Sequence, residues 1–429
     1  MERLINILKQ NEKITDWIVV NTVSKSNEVF LIKDKVDMNR SCVTNETSVR
    51  VFVDFEENGD KFKGDSTVVL NLNDSEDEIK EKIDRTAFAA KFVKNKYYEL
   101  PEKEEGYATL KDIKVCEDLT DNFKKVHDVI YKDYGYQSKV NSCEIFAYEN
   151  HKHVVTSKGV DVEYPSNKFT FEIVTDCNIG DEPVEIFNGY DLTSIDYSKI
   201  EEIVDKQLLE TEKRSSAVRN EKMENMRVLL SNEAVEEFLY YYYEQARDAM
   251  IYQQISSAKL GERFFGENPR VNFNMKINPT LETSINKRPV DSEGKKLVEY
   301  DLYKNGVVEN LVTNAKFSYY LNVKNMGQSP VFEVCGGDIS VEELKSQDYI
   351  EVLAFSSFLM DSATGDFGGE FRLARLVKDG VESFITGGSI SLNVKDIQDS
   401  MIFSKELKSR KNSLAPAVIA LDNVTVAGK

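Results

Sequence analysis

Phe358-Leu-Met-Asp-Ser-Ala-Thr-Gly-Asp-Phe-Gly-Gly-Glu-Phe371 packs three glycines and two aspartates around Phe367. Glycine permits positive φ and the close approach of another backbone. Phe371, Leu373, Arg375 and Val377 then alternate as far as the turn signal Lys378-Asp379-Gly380. The stretch reads as a bent strand running into a hairpin. Two roles are open to it. It is a glycine-rich bend in a sheet core, or it is a peptide-binding strand. In the second role Gly365, Gly368 and Gly369 admit a peptide backbone, and Asp366 and Phe367 shape the loop. Arg372 or Arg375 would then meet a peptide carboxylate. Asp366 is the best single acid/base candidate here, but an Asx-turn acceptor is the preferred reading of it.

Outward from this stretch, the rest of 217–429 is also rich in strand and turn signals. Met226–Leu230 reads as a strand, and Ser231-Asn-Glu-Ala234 as the cap of a helix carrying Val235, Phe238, Leu239, Tyr242 and Ala246. Asp291-Ser-Glu-Gly294 and Lys304-Asn-Gly306 read as turns between strands, and Ala417–Leu421 and Val424–Gly428 as final strands. Four successive tyrosines, Tyr240 to Tyr243, point around most of a helix. Some must face the core, and Tyr241 and Tyr243 are the expected interface residues.

The first segment, 1–105, has an alternating strand at Ser48–Phe55, a turn at Glu56–Asp60 and a returning strand over Lys61–Asn73. A helix capped by Asp74-Ser75 follows, with Ile79, Ile83, Ala87 and Ala90 at helical spacing. The second, 106–216, offers a helix over Asp118–Asp133, strands at Ser142–Tyr148, His153–Val160 and Phe169–Val174, and a helix over Ile200–Lys213. The fold class expected is α+β: two N-terminal α/β domains with antiparallel sheets and packed helices, then a mostly β C-terminal domain.

The chain has 429 residues, enough for two or three domains. Its 55 basic and 74 acidic residues leave a net charge of −19. Binding to phosphate backbones needs clustered Lys and Arg, so no nucleic-acid partner is expected. No stretch reaches the ~18 uninterrupted apolar residues of a membrane helix, and no membrane partner is expected. Five scattered cysteines without a CxxC pair read as reduced thiols in the cytoplasm.

Thr364-Gly-Asp-Phe367, the turn at Gly380 and the Ile385-Thr-Gly-Gly388 run stand in a set with other signals. These are Asp291-Ser-Glu-Gly294 followed by an Asn-Gly-Val strand, Gly336-Gly337, and the ending Val424-Thr-Val-Ala-Gly428. In order and spacing the set resembles the TldD/PmbA family, once called modulators of DNA gyrase. The strand, turn, strand and alanine-rich helix of the first segment are similar to that family's first domain. Asp361-Ser-Ala363 departs from it, standing where members often have a glycine-rich loop.

The resemblance implies a C-terminal domain of TldD/PmbA type and one of two kinds of subunit. TldD-like members carry an HExxxH helix of zinc-peptidase type, in which two His grip the ion and a Glu reaches its water. TldE/PmbA-like members lack it. The corresponding run here is Tyr243-Glu-Gln-Ala-Arg-Asp248, which replaces both His and leaves Glu244 as the one catalytic candidate. The resemblance thus implies a metal-free TldE/PmbA-like subunit that binds unfolded peptides, with no cofactor of its own. Zinc would lie in a TldD-like partner, and pairing with a second copy is the other option. Two alternatives stand beside it: a self-sufficient metal-dependent peptidase with an atypical site, and a non-catalytic peptide- or protein-binding protein.

Another metal set has little to draw on among three histidines. His151 and His153 would share a strand face with Asp161 or Glu163 nearby, but an exposed polar face is the preferred reading. His127 reads as a helix surface residue, and Cys335 as a small apolar strand residue.

Overall fold

A computed structural model describes all residues except Leu72, Gly180, Asp181 and Lys429. The N-terminal half is one antiparallel sheet. Its strands are β1 (Asp16–Ile32), β2 (Lys35–Glu57), β3 (Asp60–Leu70), β4 (Lys139–Thr156), β5 (Asp161–Pro165), β6 (Lys168–Cys177) and β7 (Val184–Leu192). They lie in the order β3-β2-β1-β4-β6-β7, with β5 on β4. Because β1 pairs with β4, one sheet runs through residues expected to form two units. The strand expected at Ser142–Tyr148 and the first part of the one expected at His153–Val160 are joined in β4, whose end at Thr156 leaves residues 157–160 to a turn; the expected end of the returning strand includes Leu72, outside the described residues.

Helices cover one face of this sheet. Leu4, Ile7 and Leu8 of α1 (Glu2–Gln10) and Ile79, Ile83, Ala87 and Ala90 of α2 (Glu76–Ala90) pack on Trp17, Val19, Val49 and Val51. Ser75 and Glu78 form a full capping box on α2, which fixes where that helix starts. Helices α3 (Val115–Tyr131) and α4 (Tyr197–Ser215) cover the other half of the face over Cys143, Ile145, Phe169 and Phe171. The even-numbered residues of β1 face the opposite way. There Ile18 packs with Phe52, Tyr98 and Ala315, and Val20 packs beside Val154 and Val290. The second face is thus closed by the C-terminal half.

That half contributes β8 (Val218–Arg219), β9 (Met223–Leu230), β10 (Met275–Ile277), β11 (Tyr300–Lys304), β12 (Val307–Val308), β13 (Phe332–Val334), β14 (Tyr349–Met360), β15 (Asp366–Lys378), β16 (Val381–Thr386), β17 (Gly388–Asn393), β18 (Ile402–Phe403), β19 (Leu407–Ser409), β20 (Ser413–Pro416) and β21 (Ile419–Val426). One sheet has the order β12-β11-β10-β13-β20-β19. The other runs β18-β21-β9-β14-β15-β16-β8, with β17 also on β15. Helix α5 (Glu233–Gln245) is buried in the core that the two sheets share, against Met275, Tyr303, Ile350, Phe367 and Phe371. The fold is α+β, with a C-terminal half dominated by strands.

Turn chemistry sets three hairpins. Asn58-Gly59, Asn305-Gly306 and Asp379-Gly380 all have both residues at positive φ. That backbone twist matches the twist of the flanking strands.

Candidate functional site

The site to test first is the run Tyr243–Asp248, where a zinc-peptidase helix would present its ligands. Helix α5 ends at Gln245, and α6 (Asp248–Tyr252) starts afresh after Arg247, which is extended at φ −78, ψ 134. The helical register that would bring two ligands one turn apart onto the same face is therefore broken. Tyr243 is 4% exposed, stacks on Tyr240 at 4.8 Å and lies near Phe332. Both carboxylate oxygens of Glu244 accept from Arg247 Nη1, at 3.0 and 2.8 Å. Asp248 is fully buried and accepts from two backbone amides, Ala249 N and Asn314 N, each at 2.7 Å.

These side chains do not fit a zinc ion. One is a core phenol, one is held by a guanidinium and one is locked to backbone donors. Among the described residues no group of three His, Cys, Asp or Glu side chains is placed to hold a metal. His153 has one ring nitrogen 2.6 Å from Asp161 and the other 3.3 Å from Glu163. His127 Nε2 lies 2.9 Å from the Asp34 carbonyl. Cys335 lies one residue past the end of β13 and is exposed, so it is not the small apolar strand residue expected.

Asp248 belongs to a group of buried carboxylates that the turn signal at Asp291 did not reveal. Asp291 accepts from Glu293 N, Lys295 N and Gln328 N at 2.9, 3.0 and 3.2 Å. Glu293 accepts from Ala315 N at 2.8 Å and lies 3.5 Å from Arg50 of β2. Arg50 thereby ties the N-terminal sheet to the loops of the C-terminal half. Burial raises the Asp248 carboxyl from 3.8 to about 6, against the pull of its amide donors. A folded-state value above the ordinary one means the folded chain holds this proton more tightly than the unfolded chain. The stability so gained is full below pH 3.8 and is lost as pH rises through about 6. Denaturant unfolding should show it: the stability of the parent relative to Asp248→Ala should fall by roughly 2 kcal/mol between those limits. A difference that is flat with pH would contradict this.

The glycine-rich strand is internal. Residues Asp366–Phe371 of β15 pair with β17 on one edge, and Phe367–Phe371 also pair with β14 on the other. A Cβ at Gly368 would lie 2.1 Å from Ile390 O, and one at Gly369 would lie 2.0 Å from Ser357 O. The close backbone approach that glycine allows is made by the chain's own strands. This corrects the expectation that a peptide adds along this edge, because no edge is open there. Gly365 sits at φ +83 in a turn where Asp361 Oδ1 accepts from Ala363 N and Thr364 N. Phe367 is buried against Phe238 at 5.1 Å. Asp366 is exposed and bonded to Asn393 Nδ2 at 2.8 Å, which holds its carboxyl below the usual range. Arg372 is exposed, whereas Arg375 turns to Glu351 and Glu382 at 4.0 and 3.7 Å. The two arginines do not form one site.

Tyr241 and Tyr243 are corrected as well. They are 5% and 4% exposed in the chain by itself, so the helix offers neither to a partner.

Residues 223–428 match the family model described as the PmbA/TldA metallopeptidase C-terminal domain. No curated protein sequence matches the chain. Three solved structures are similar over its length. TldE from Thermococcus kodakarensis is 17% identical, with a TM-score of 0.79 over 99% of this chain and 100% of that one. A protein from Thermotoga maritima, described as a modulator of a DNA gyrase, is 17% identical, with a TM-score of 0.78 over 99% of each chain. One from Bacteroides thetaiotaomicron with the same description is 14% identical, with a TM-score of 0.80 over 100% of this chain and 98% of that one. The chain shares its whole-length fold with these proteins, and through residues 223–428 it belongs to the TldD/PmbA family.

Proposed function

We propose that this chain is a metal-free, TldE/PmbA-like subunit that binds unfolded peptides and supports their processing beside a TldD-like zinc-bearing partner. The observation that carries this reading is the state of residues 243–248. A metallopeptidase needs an ion to bring the pKa of its water near ~7, and the groups standing here are already satisfied inside the fold. Peptide binding rests on the family description as a metallopeptidase domain, not on the β15 edge. A second copy of the chain is the substitute partner where no TldD-like subunit is present. The cytoplasm is the proposed compartment, in keeping with five cysteines that are all free.

Two measurements test the reading. Elemental analysis of protein purified without chelator should find no stoichiometric zinc. Unfolded peptides should stay intact with the chain alone and be cleaved when a TldD-like subunit is added. One zinc per chain that is lost in Glu244→Ala or Asp248→Ala would overturn the metal-free part. Robust cleavage by the chain alone would overturn the division of labour.

A further inference from the structure

A cavity of about 280 Å³ lies where α4 meets the C-terminal sheet, at the end of α5 opposite to residues 243–248. Lys206 and Lys213 of α4, Lys345, Arg375 of β15 and Lys408 of β19 line it. Two carboxylates, Glu210 and Glu351, line it with them, and Glu382 reaches Arg375 at 3.7 Å from outside the lining. Five cations against two anions is a reversal of the chain's net charge of −19. Collecting like charges in a partly buried space is costly unless something neutralises them.

The local pairing leaves cations over. Lys345 pairs with Glu351 at 2.8 Å, and Lys206 lies 3.6 Å from Glu210. Lys213 lies over the Phe384 ring at 5.6 Å. Lys408 donates to the side-chain oxygen of Asn232 at 3.1 Å, and Lys206 donates to that same oxygen at 2.8 Å. Two ammonium groups thus converge on one neutral amide oxygen. An anion would satisfy them better, because its charge adds Coulomb attraction to both ammonium groups, which a neutral oxygen cannot supply. Asn232 also sits at φ 52, a conformation non-glycine residues rarely adopt, and its side chain does not cap α5. Its amide oxygen is committed to the lysines instead, and its Nδ2 donates to the Leu353 carbonyl at 3.3 Å.

We propose that this cavity binds a small anionic group, a carboxylate or a phosphate, held by Lys213, Lys345, Arg375 and Lys408 with Lys206 at its rim. The volume suits an end group or a small molecule and is too small for a folded partner. The proposal does not depend on the peptide-binding reading. The titration of Lys408 agrees with it: burial, then Lys206 and Arg410, hold its ammonium down from 10.5 to about 8.

The test is calorimetric titration of the full chain at neutral pH and fixed ionic strength. The probes are inorganic phosphate, acetate, a short peptide with a free C-terminal carboxylate and the same peptide amidated. Saturable binding of phosphate or of the free-carboxylate peptide, tighter than about 10 mM, is expected. Lys408→Met and Lys213→Met should each weaken it at least tenfold, and Lys408→Arg should keep it. Binding of phosphate but not peptide assigns a phosphate ligand; binding of the free but not the amidated peptide assigns a chain end. Lys408→Met should melt no lower than the parent, since it removes a charge that the fold holds unfavourably. A measurement on the parent alone avoids any folding defect: the bound anion should shield Lys213 and Lys408 from amine acylation, read by peptide mass. No saturable binding by any probe, equal binding in both methionine variants, or equal acylation with and without anion overturns the proposal.

Discussion

Tyr243→Glu should unfold the C-terminal half, not release a partner. Its ring is 4% exposed, stacked on Tyr240 and set near Phe332 in the core shared by both C-terminal sheets. A glutamate there loses that aromatic burial and must either bury an unpaired charge or take up a proton. Burial already drives the Tyr243 hydroxyl well above its ordinary value of 10.0, so an anion at this position is strongly disfavoured. The cost should exceed about 4 kcal/mol, since core loss and charge burial act together. Thermal melting should fall by on the order of 10 °C or lose its cooperativity. Tyr241→Glu should behave alike, being 5% exposed beside Tyr242. Sedimentation on the same samples separates the two accounts. A variant that melts with the parent but sediments as a lighter species would restore these tyrosines to an interface.

The tyrosine run shows where reading from sequence stops. Helical period sorts residues into a core face and a solvent face only when a helix has one of each. Helix α5 lies between two sheets, so Tyr241, Tyr242 and Tyr243 are all buried and the expected division does not exist. Strand signals failed for a different reason. Residues 32–44 are exposed, so that part of the β1–β2 hairpin carries no alternation of burial to betray it. Hence Ser48–Phe55 was legible, whereas the first half of β2 was not; β1 was missed because Asp16 to Val19 are buried on both faces and show no alternation. Local chemistry was read well. The Ser75 cap and the Asn-Gly and Asp-Gly turns depend on a few neighbouring residues, and the structure has them where the sequence puts them. The cation cavity was illegible because Lys206, Lys345 and Lys408 come from three distant stretches that only the fold brings together. Arg375 was singled out in the sequence, but paired with Arg372 and not with these lysines.

Gly369→Val should be nearly as damaging as the tyrosine change, and it decides what the glycine-rich strand is for. Its new Cβ would lie 2.0 Å from Ser357 O and 3.1 Å from the Phe355 ring, with β14 already paired along that edge. At Gly368 the obstacle is Ile390 O at 2.1 Å, on β17. Neither obstacle is the free end of a side chain. Both are backbone carbonyls, so a ladder of hydrogen bonds must part to make room. Overpacking of a fixed site costs about 1–3 kcal/mol, and the loss of strand pairing adds to it. A control isolates the steric part. Gly380 lies at φ +75, and a Cβ there would meet nothing within 4 Å, so Gly380→Ala should cost only the backbone preference, about 1 kcal/mol. Denaturant midpoints for the three variants should therefore rank the parent first, then Gly380→Ala, with Gly368→Val and Gly369→Val far below. Were Gly369→Val to melt like the parent yet lose a peptide that the parent binds, β14 would have to be displaceable, and the strand would serve a ligand after all. If it unfolds as the contacts demand, these glycines belong to the sheet's own packing, and peptide recognition must be sought on another surface of the chain.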